Sequence, residues 1–292
     1  MAYFLTSGQK LFSGYIYLKP RMMNKKIFAP ILTVCAILLS IGIAHADENL
    51  SPIPNISDQW RFEVTPYAWL PTIGSTLSYN DRYVTTASLD ANKVLSSLKS
   101  GAMIAGEAHY GNWGVMGDFI TATLQKSGTI PITIPPGSPA TLADKGTVQS
   151  TILTGAATYT LFRNQNAYVD GLVGARWVGM TATLNLALNG TADKLSDSSA
   201  MSTVDPIVGF KGRYRIADST WYIPIYGDIG GGGGTTNMTW QGILGVGKTF
   251  EKWLDVSLVY RGLYYDMRGG SNNGLLQKTT FQGPQLSATF NF

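Results

Sequence analysis

The segment Gly242-Ile243-Leu244-Gly245-Val246-Gly247-Lys248-Thr249 fits the phosphate-loop pattern G-x-x-x-x-G-K-[ST] letter for letter. A phosphate cradle of that kind needs a strand before it and a helix after it, so that backbone amides converge on the anion. Here the match continues an alternating strand into a short turn at 250–253, so nucleotide binding is not expected. The glycine run at 230–234 leads into Thr235-Thr236-Asn237, which opens no helix. It reads as an outer loop or a bend at a strand end. Acid–base chemistry would have to use His109, the one histidine beyond residue 46. It shares strand parity with Glu107, and Asp118 lies across the expected hairpin, a set that could serve hydrolysis of lipid or peptide. Yet His109 sits beside a tight turn at Gly111-Asn112, a poor place to meet lipid at the outer surface. It is expected to be a structural histidine in a polar network, and no enzyme is expected. Beyond residue 46 there is no cysteine and no D-x-D-x-D loop, so no metal or cofactor is expected either.

Composition points to the elements that carry these residues. Of 292 residues 45% are hydrophobic and only 14% charged, against roughly a quarter charged in soluble domains. Residues 1–46 hold five basic residues (Lys10, Lys19, Arg21, Lys25, Lys26) and no acidic ones. The 22 basic residues less these five leave 17 against 18 acidic, a net charge of −1 for 47–292. Nucleic acid is therefore not an expected partner. Residues 22–46 read as a secretory signal peptide: Lys25-Lys26, an apolar stretch from Ile27 to Ile43, and Ala44-His45-Ala46 as the cleavage site. Pro30 and that site weigh against an uncleaved anchor, and Val34 is too large to precede a lipidated Cys35. Residues 1–21 lack signal character and read as an over-long gene start. Residues 47–59 are expected to form a short periplasmic lead.

The rest alternates with period two, hairpin after hairpin. Strands are expected at about 60–70, 100–110, 113–124, 147–162, 167–188, 204–215, 219–228, 238–250, 255–267 and 280–292. Short turns and long polar connections (125–146, 189–203, 229–237, 268–278) take turns along the chain. That rule belongs to outer-membrane barrels and not to soluble sandwiches. The stretch 73–89 is either an outer hairpin, for ten spanning strands, or two further spanning strands around Asn80-Asp81, for twelve. Residues 89–100 read as a short helix or an ordered loop. The fold expected is all-β: one closed antiparallel transmembrane barrel over 60–292.

Apolar residues occupy every second place back from the last residue: Phe292, Phe290, Ala288 and Leu286. This resembles the C-terminal signal by which the assembly machinery of Gram-negative outer membranes recognises barrels. The chain further resembles a family of uncharacterised proteobacterial outer-membrane barrel proteins. The likeness rests on Trp60-Arg61-Phe62 with Thr65-Pro66-Tyr67-Ala68-Trp69, and on Trp113-Gly114 leading to Asp118. It continues in Asp205-Pro206-Ile207-Val208-Gly209 with Arg213-Tyr214, then Gly227-Asp228-Ile229-Gly230-Gly231 and Tyr260-Arg261. The resemblance implies a fold and an outer-membrane location after cleavage at Ala46, and no activity.

In a barrel, Trp60, Trp177, Trp221, Phe290 and Phe292 would face lipid near the headgroups. The opposite parity would line the lumen with Arg61, Glu63, Glu107, His109, Asp118, Asp170, Arg176, Lys211, Arg213, Arg215, Asp228 and Arg261. Mixed signs suggest partial cross-linking by salt bridges. If the lumen is open, Lys211, Arg213, Arg215 and Arg261 would favour anions among small polar solutes. Two functions follow, a narrow porin-like channel as the first expectation and a closed barrel acting through its loops as the alternative. In the second case 125–146, stiffened by prolines at 131–139, and 189–203 are the contact surfaces.

Overall fold

A computed structural model of the protein describes residues 50–79, 82–134, 138–188, 194–268 and 275–292. The expected leader lies outside these residues. The described chain is one antiparallel sheet of twelve strands. In chain order they are β1 (Trp60–Trp69), β2 (Thr72–Tyr79), β3 (Arg82–Leu89), β4 (Leu98–Tyr110), β5 (Trp113–Ile134) and β6 (Ser138–Arg163). They continue as β7 (Ala167–Leu188), β8 (Lys194–Arg215), β9 (Trp221–Gly230), β10 (Thr236–Glu251), β11 (Leu254–Arg268) and β12 (Leu275–Asn291). One short helix, α1 (Ala91–Ser97), precedes β4.

Ten strands, β1 and β4–β12, close on themselves through β1 and β12, with Glu63 opposite Asn291 and Trp69 opposite Gln285. Closure leaves no unpaired edge in the spanning wall, the condition lipid imposes on a sheet. The hairpin β2–β3 stands outside this ring. It pairs with the outer part of β12, Thr72 to Tyr79 opposite Gln282 to Leu275. The ten-stranded expectation with an outer hairpin at 73–89 is thus the one realised, and residues 91–97 form the helix.

Period-two alternation builds the wall because successive side chains in a strand point to opposite faces. Outward positions are apolar and accessible, with Val173 64% and Leu244 59% exposed. Aromatic pairs bound this band. At the end carrying the short turns, Trp60 packs on Tyr110, Trp113 on Tyr159 and Trp253 on Phe290. Further up, Trp240 stacks on Tyr264. Trp240 stands eight residues above Lys248, the partner of Trp221, which is about 20 Å of height for a tilted strand.

The expected loops at 125–146 and 189–203 are corrected by the structure. β5 runs on to Ile134, β6 starts at Ser138 and β8 starts at Lys194, in continuous register with their neighbours. Strands β5 to β8 have 22, 26, 22 and 22 residues, about twice the 9–11 a tilted strand needs to span. Their outer halves form a four-stranded panel above the band. Along the outer part of β8, Leu195 to Ser202, both faces meet water, so the alternation that marks a half-buried strand is absent there. Sequence such as Ser196-Asp197-Ser198-Ser199 therefore reads as loop. The edge of β5 beyond Leu124 has no pairing with β4, and β3 pairs with β2 alone. Helix α1 packs against β2 and β5 here through its buried Val94.

Candidate functional site: the lumen

The inward parity brings most of the expected polar side chains together. Glu63 on β1 reaches Arg213 on β8 at 3.7 Å, five strands away around a ring of ten. Arg213 also donates to Asp255 on β11 at 2.7 Å. Lys211 on β8 pairs with Glu107 on β4, and lies 3.7 Å from Asp170 on β7. Asp118 on β5 takes Arg261 of β11 at 2.6 Å. Arg261 donates further to the Tyr67 hydroxyl at 3.0 Å and to Gln241 at 2.8 Å, and Tyr67 donates to Asp118 at 2.5 Å. Arg176 on β7 pairs with Asp228 on β9, which also accepts from Tyr226 at 2.6 Å. Arg176 and Arg261 are 0% and 1% exposed, so these guanidiniums are held by protein groups and not by bulk water. Between these pairs lies a chamber of about 170 Å³, lined by residues such as Glu63, Tyr67, Glu107, Lys211 and Tyr226. Its lining mixes these polar groups with apolar ones such as Met116, Ile225 and Val259, and it is large enough for several waters.

Two expected residues stand apart from this network. Arg215 does not reach across the lumen, because its guanidinium donates to the carbonyls of Asp218 and Ser219 in the adjacent turn, at 2.6 and 2.8 Å. His109 is buried and its Nε2 meets Glu107 at 2.9 Å. Its register partner across the hairpin is Gly114, while Asp118 pairs with Ala105 and turns to Arg261. The expected His109–Asp118 contact is thus not made. Gly114 is required where it is, because a Cβ there would lie 2.6 Å from both the His109 ring and the Thr158 hydroxyl. The phosphate-loop match lies wholly inside β10, paired on both sides.

Three features go beyond the expected lumen set. Asp205 and Asp255, which alternate onto the same strand faces as Lys211 and Arg261, join the inward carboxylates. With them the lumen, among the described residues, holds seven carboxylates (Glu63, Glu107, Asp118, Asp170, Asp205, Asp228, Asp255) against five permanent cations (Arg61, Arg176, Lys211, Arg213, Arg261). That surplus weighs against the expected anion preference. Secondly, the outer half of the lumen holds an apolar cluster. Trp69, Ile120, Ile152, Val178, Leu263 and Tyr265 pack there, with Met103, Met267 and Phe281 against them. Thirdly, the lead folds over the opposite mouth. Ile53 is buried, Arg213 donates to Pro52 O at 3.4 Å, Arg61 to Asn55 O at 3.1 Å, and Arg163 to Asn55 Oδ1 at 3.0 Å.

The barrel has a counterpart among solved structures. The chain is similar to the outer membrane protease OmpT of Escherichia coli, with 9% identity, 82% of this chain and 99% of that chain covered, and a TM-score of 0.52. The fold is that of an outer-membrane β-barrel. Ail, the attachment invasion locus protein of Yersinia pestis, aligns at 12% identity over 81% of this chain and 100% of that chain, with a TM-score of 0.33. The translocator domain of the autotransporter NalP from Neisseria meningitidis aligns at 11% identity over 91% and 96%, again with a TM-score of 0.33. Neither of these two superposes closely enough to bear on the chain. No protein-family model and no curated protein matches it in sequence. At 9% identity the OmpT likeness speaks for the barrel fold and for nothing else.

Proposed function

We propose that the chain is an integral protein of the bacterial outer membrane whose barrel is closed to solutes. It holds the β5–β8 panel clear of the membrane for a structural or surface-interaction role. The observation that carries this reading is the set of ion pairs that cross the lumen, above all Glu63 to Arg213 and Asp118 to Arg261. The apolar layer above them and the lead below add two further obstructions. Passage of a hydrated solute would require these pairs to part inside a poorly hydrated interior, leaving charges without partners. The apolar outer band supports lipid as the surrounding partner, and insertion would need the barrel-assembly machinery.

A channel for small polar solutes is the second reading, and the 170 Å³ chamber is what speaks for it. We read the barrel as non-enzymatic. His109 lies at the short-turn end, with Glu107 as its hydrogen-bond partner, far along the barrel from the panel. Conductance of the folded chain in a planar bilayer separates the two readings. The closed barrel predicts a flat record. Stable conductance steps, lost when Glu63→Cys and Arg213→Cys are joined by a bifunctional thiol crosslinker long enough to span the lumen, would replace the closed reading with the channel.

A further inference from the structure

Asp205 accounts for part of the carboxylate surplus in the lumen. It is 0% exposed, yet among the described residues it forms no ion pair. Its register partner across the sheet is Arg176, but that guanidinium turns to Asp228 instead. Asp205 Oδ1 accepts one long hydrogen bond, 3.5 Å, from the Thr203 hydroxyl, and Oδ2 has no partner. Thr203 in turn accepts from Thr236 at 3.2 Å. The Tyr265 hydroxyl is also buried without a partner, and Tyr265 lines the same small cavity as Thr203.

The glycine run between β9 and β10 is pressed onto this cluster. Gly231, Gly232 and Gly234 have φ of +135°, +78° and +134°, values that side-chain-bearing residues rarely adopt. The Gly231 amide donates to Pro206 O at 3.2 Å. A Cβ on Gly233 would collide with the Val204 carbonyl and lie 3.0 Å from Asp205 Cα. The run therefore lies against the β8 backbone at Val204 to Pro206, and a Cβ on Gly234 would lie 3.5 Å from the Thr203 hydroxyl that serves Asp205.

We propose that Asp205, Thr203 and Thr236, roofed by this glycine turn, form a binding site for a small hard cation of the sodium or calcium class. An ionised carboxylate removed from water needs a positive partner, and no side chain supplies one. The groups that converge are carboxylate and hydroxyl oxygens, of the class that hard cations prefer. The cluster holds no histidine or cysteine to favour a transition metal.

The test is thermal unfolding of the full barrel, folded in detergent free of lipopolysaccharide, in sodium, calcium or choline chloride at matched ionic strength. Sodium or calcium is expected to raise the unfolding midpoint over choline in a saturable way, and comparison of the two salts identifies the ion. Asp205→Asn, equal in shape and neutral, is expected to abolish the increment. Thr203→Val keeps the carboxylate and is expected to weaken the half-saturating concentration by about tenfold, the effect of one lost ligand. It decides the matter should Asp205→Asn fail to fold. Equal midpoints in all three salts would overturn the site, showing Asp205 to be satisfied by a proton or water. An increment that survives both substitutions would overturn it too.

Discussion

The two levels of the lumen are built from opposite materials. Near the short turns it is ionic: Arg213 between Glu63 and Asp255, and Arg261 between Asp118 and its amide and phenol partners. Nearer the panel it is apolar, with Leu263 0% exposed at its centre. Coulomb attraction in a buried ion pair roughly offsets the cost of taking both charges out of water. Apolar burial has no such opposing cost and contributes about 25 cal/mol per Å². The ionic level therefore dictates which strand faces which across the lumen, while the apolar level supplies net stability. A barrel with the ionic level alone would be specific but weak.

This contrast can be broken at its strongest point. Arg261→Met leaves Asp118 buried without a cation and is expected to cost about 3–5 kcal/mol of unfolding free energy in urea. Pairing it with Asp118→Leu should return roughly half of that or more, because the stranded charge is gone. Equal losses in the single and double variants would mean that the pair itself stabilises the barrel. In the apolar level, Leu263→Ala is expected to cost about 3 kcal/mol, with no rescue from any charge change. Gly114→Ala forces a methyl between His109 and Thr158 on the ionic side and should cost about 2 kcal/mol.

Two smaller effects lie outside the lumen and serve as controls. Ala217 has φ of +45° in the turn before β9, so Ala217→Gly should relieve strain and stabilise by roughly 1 kcal/mol. Asp90 caps α1 by accepting from the Lys93 amide at 2.9 Å, and this hydrogen bond holds its carboxyl below the usual aspartate range. A lowered value means that the cap contributes at neutral pH and is lost as pH falls through the acid range. Loss of protection of the Lys93 amide relative to its intrinsic exchange rate at low pH, matched at neutral pH by Asp90→Ala, is the expected readout.

Inward and outward faces were legible wherever one face of a strand is buried. Arg61, Glu63, Asp170, Arg176, Lys211, Arg213 and Arg261 were named from parity alone, and their side chains do turn inward. Asp205 and Asp255 obey the same rule beside Lys211 and Arg261. The apolar level escaped because Leu263 and Tyr265 alternate with Gly262 and Tyr264, so both faces of that stretch are apolar and parity loses its contrast. The outer part of β8 escaped for the converse reason, since at Ser196–Ser199 both faces are polar.

By itself the sequence determined a closed antiparallel barrel, its short-turn end and the inward set of charges, because side-chain direction in a strand depends only on whether a position is odd or even. Only the tertiary structure decided which charges meet. Glu63 and Arg213, or Asp118 and Arg261, are separated by well over a hundred residues, and their heights agree only through the register of every strand pair between them. No local rule carries that sum along the chain. The same holds for Asp205, whose want of a partner becomes visible only once Arg176 is seen to face Asp228.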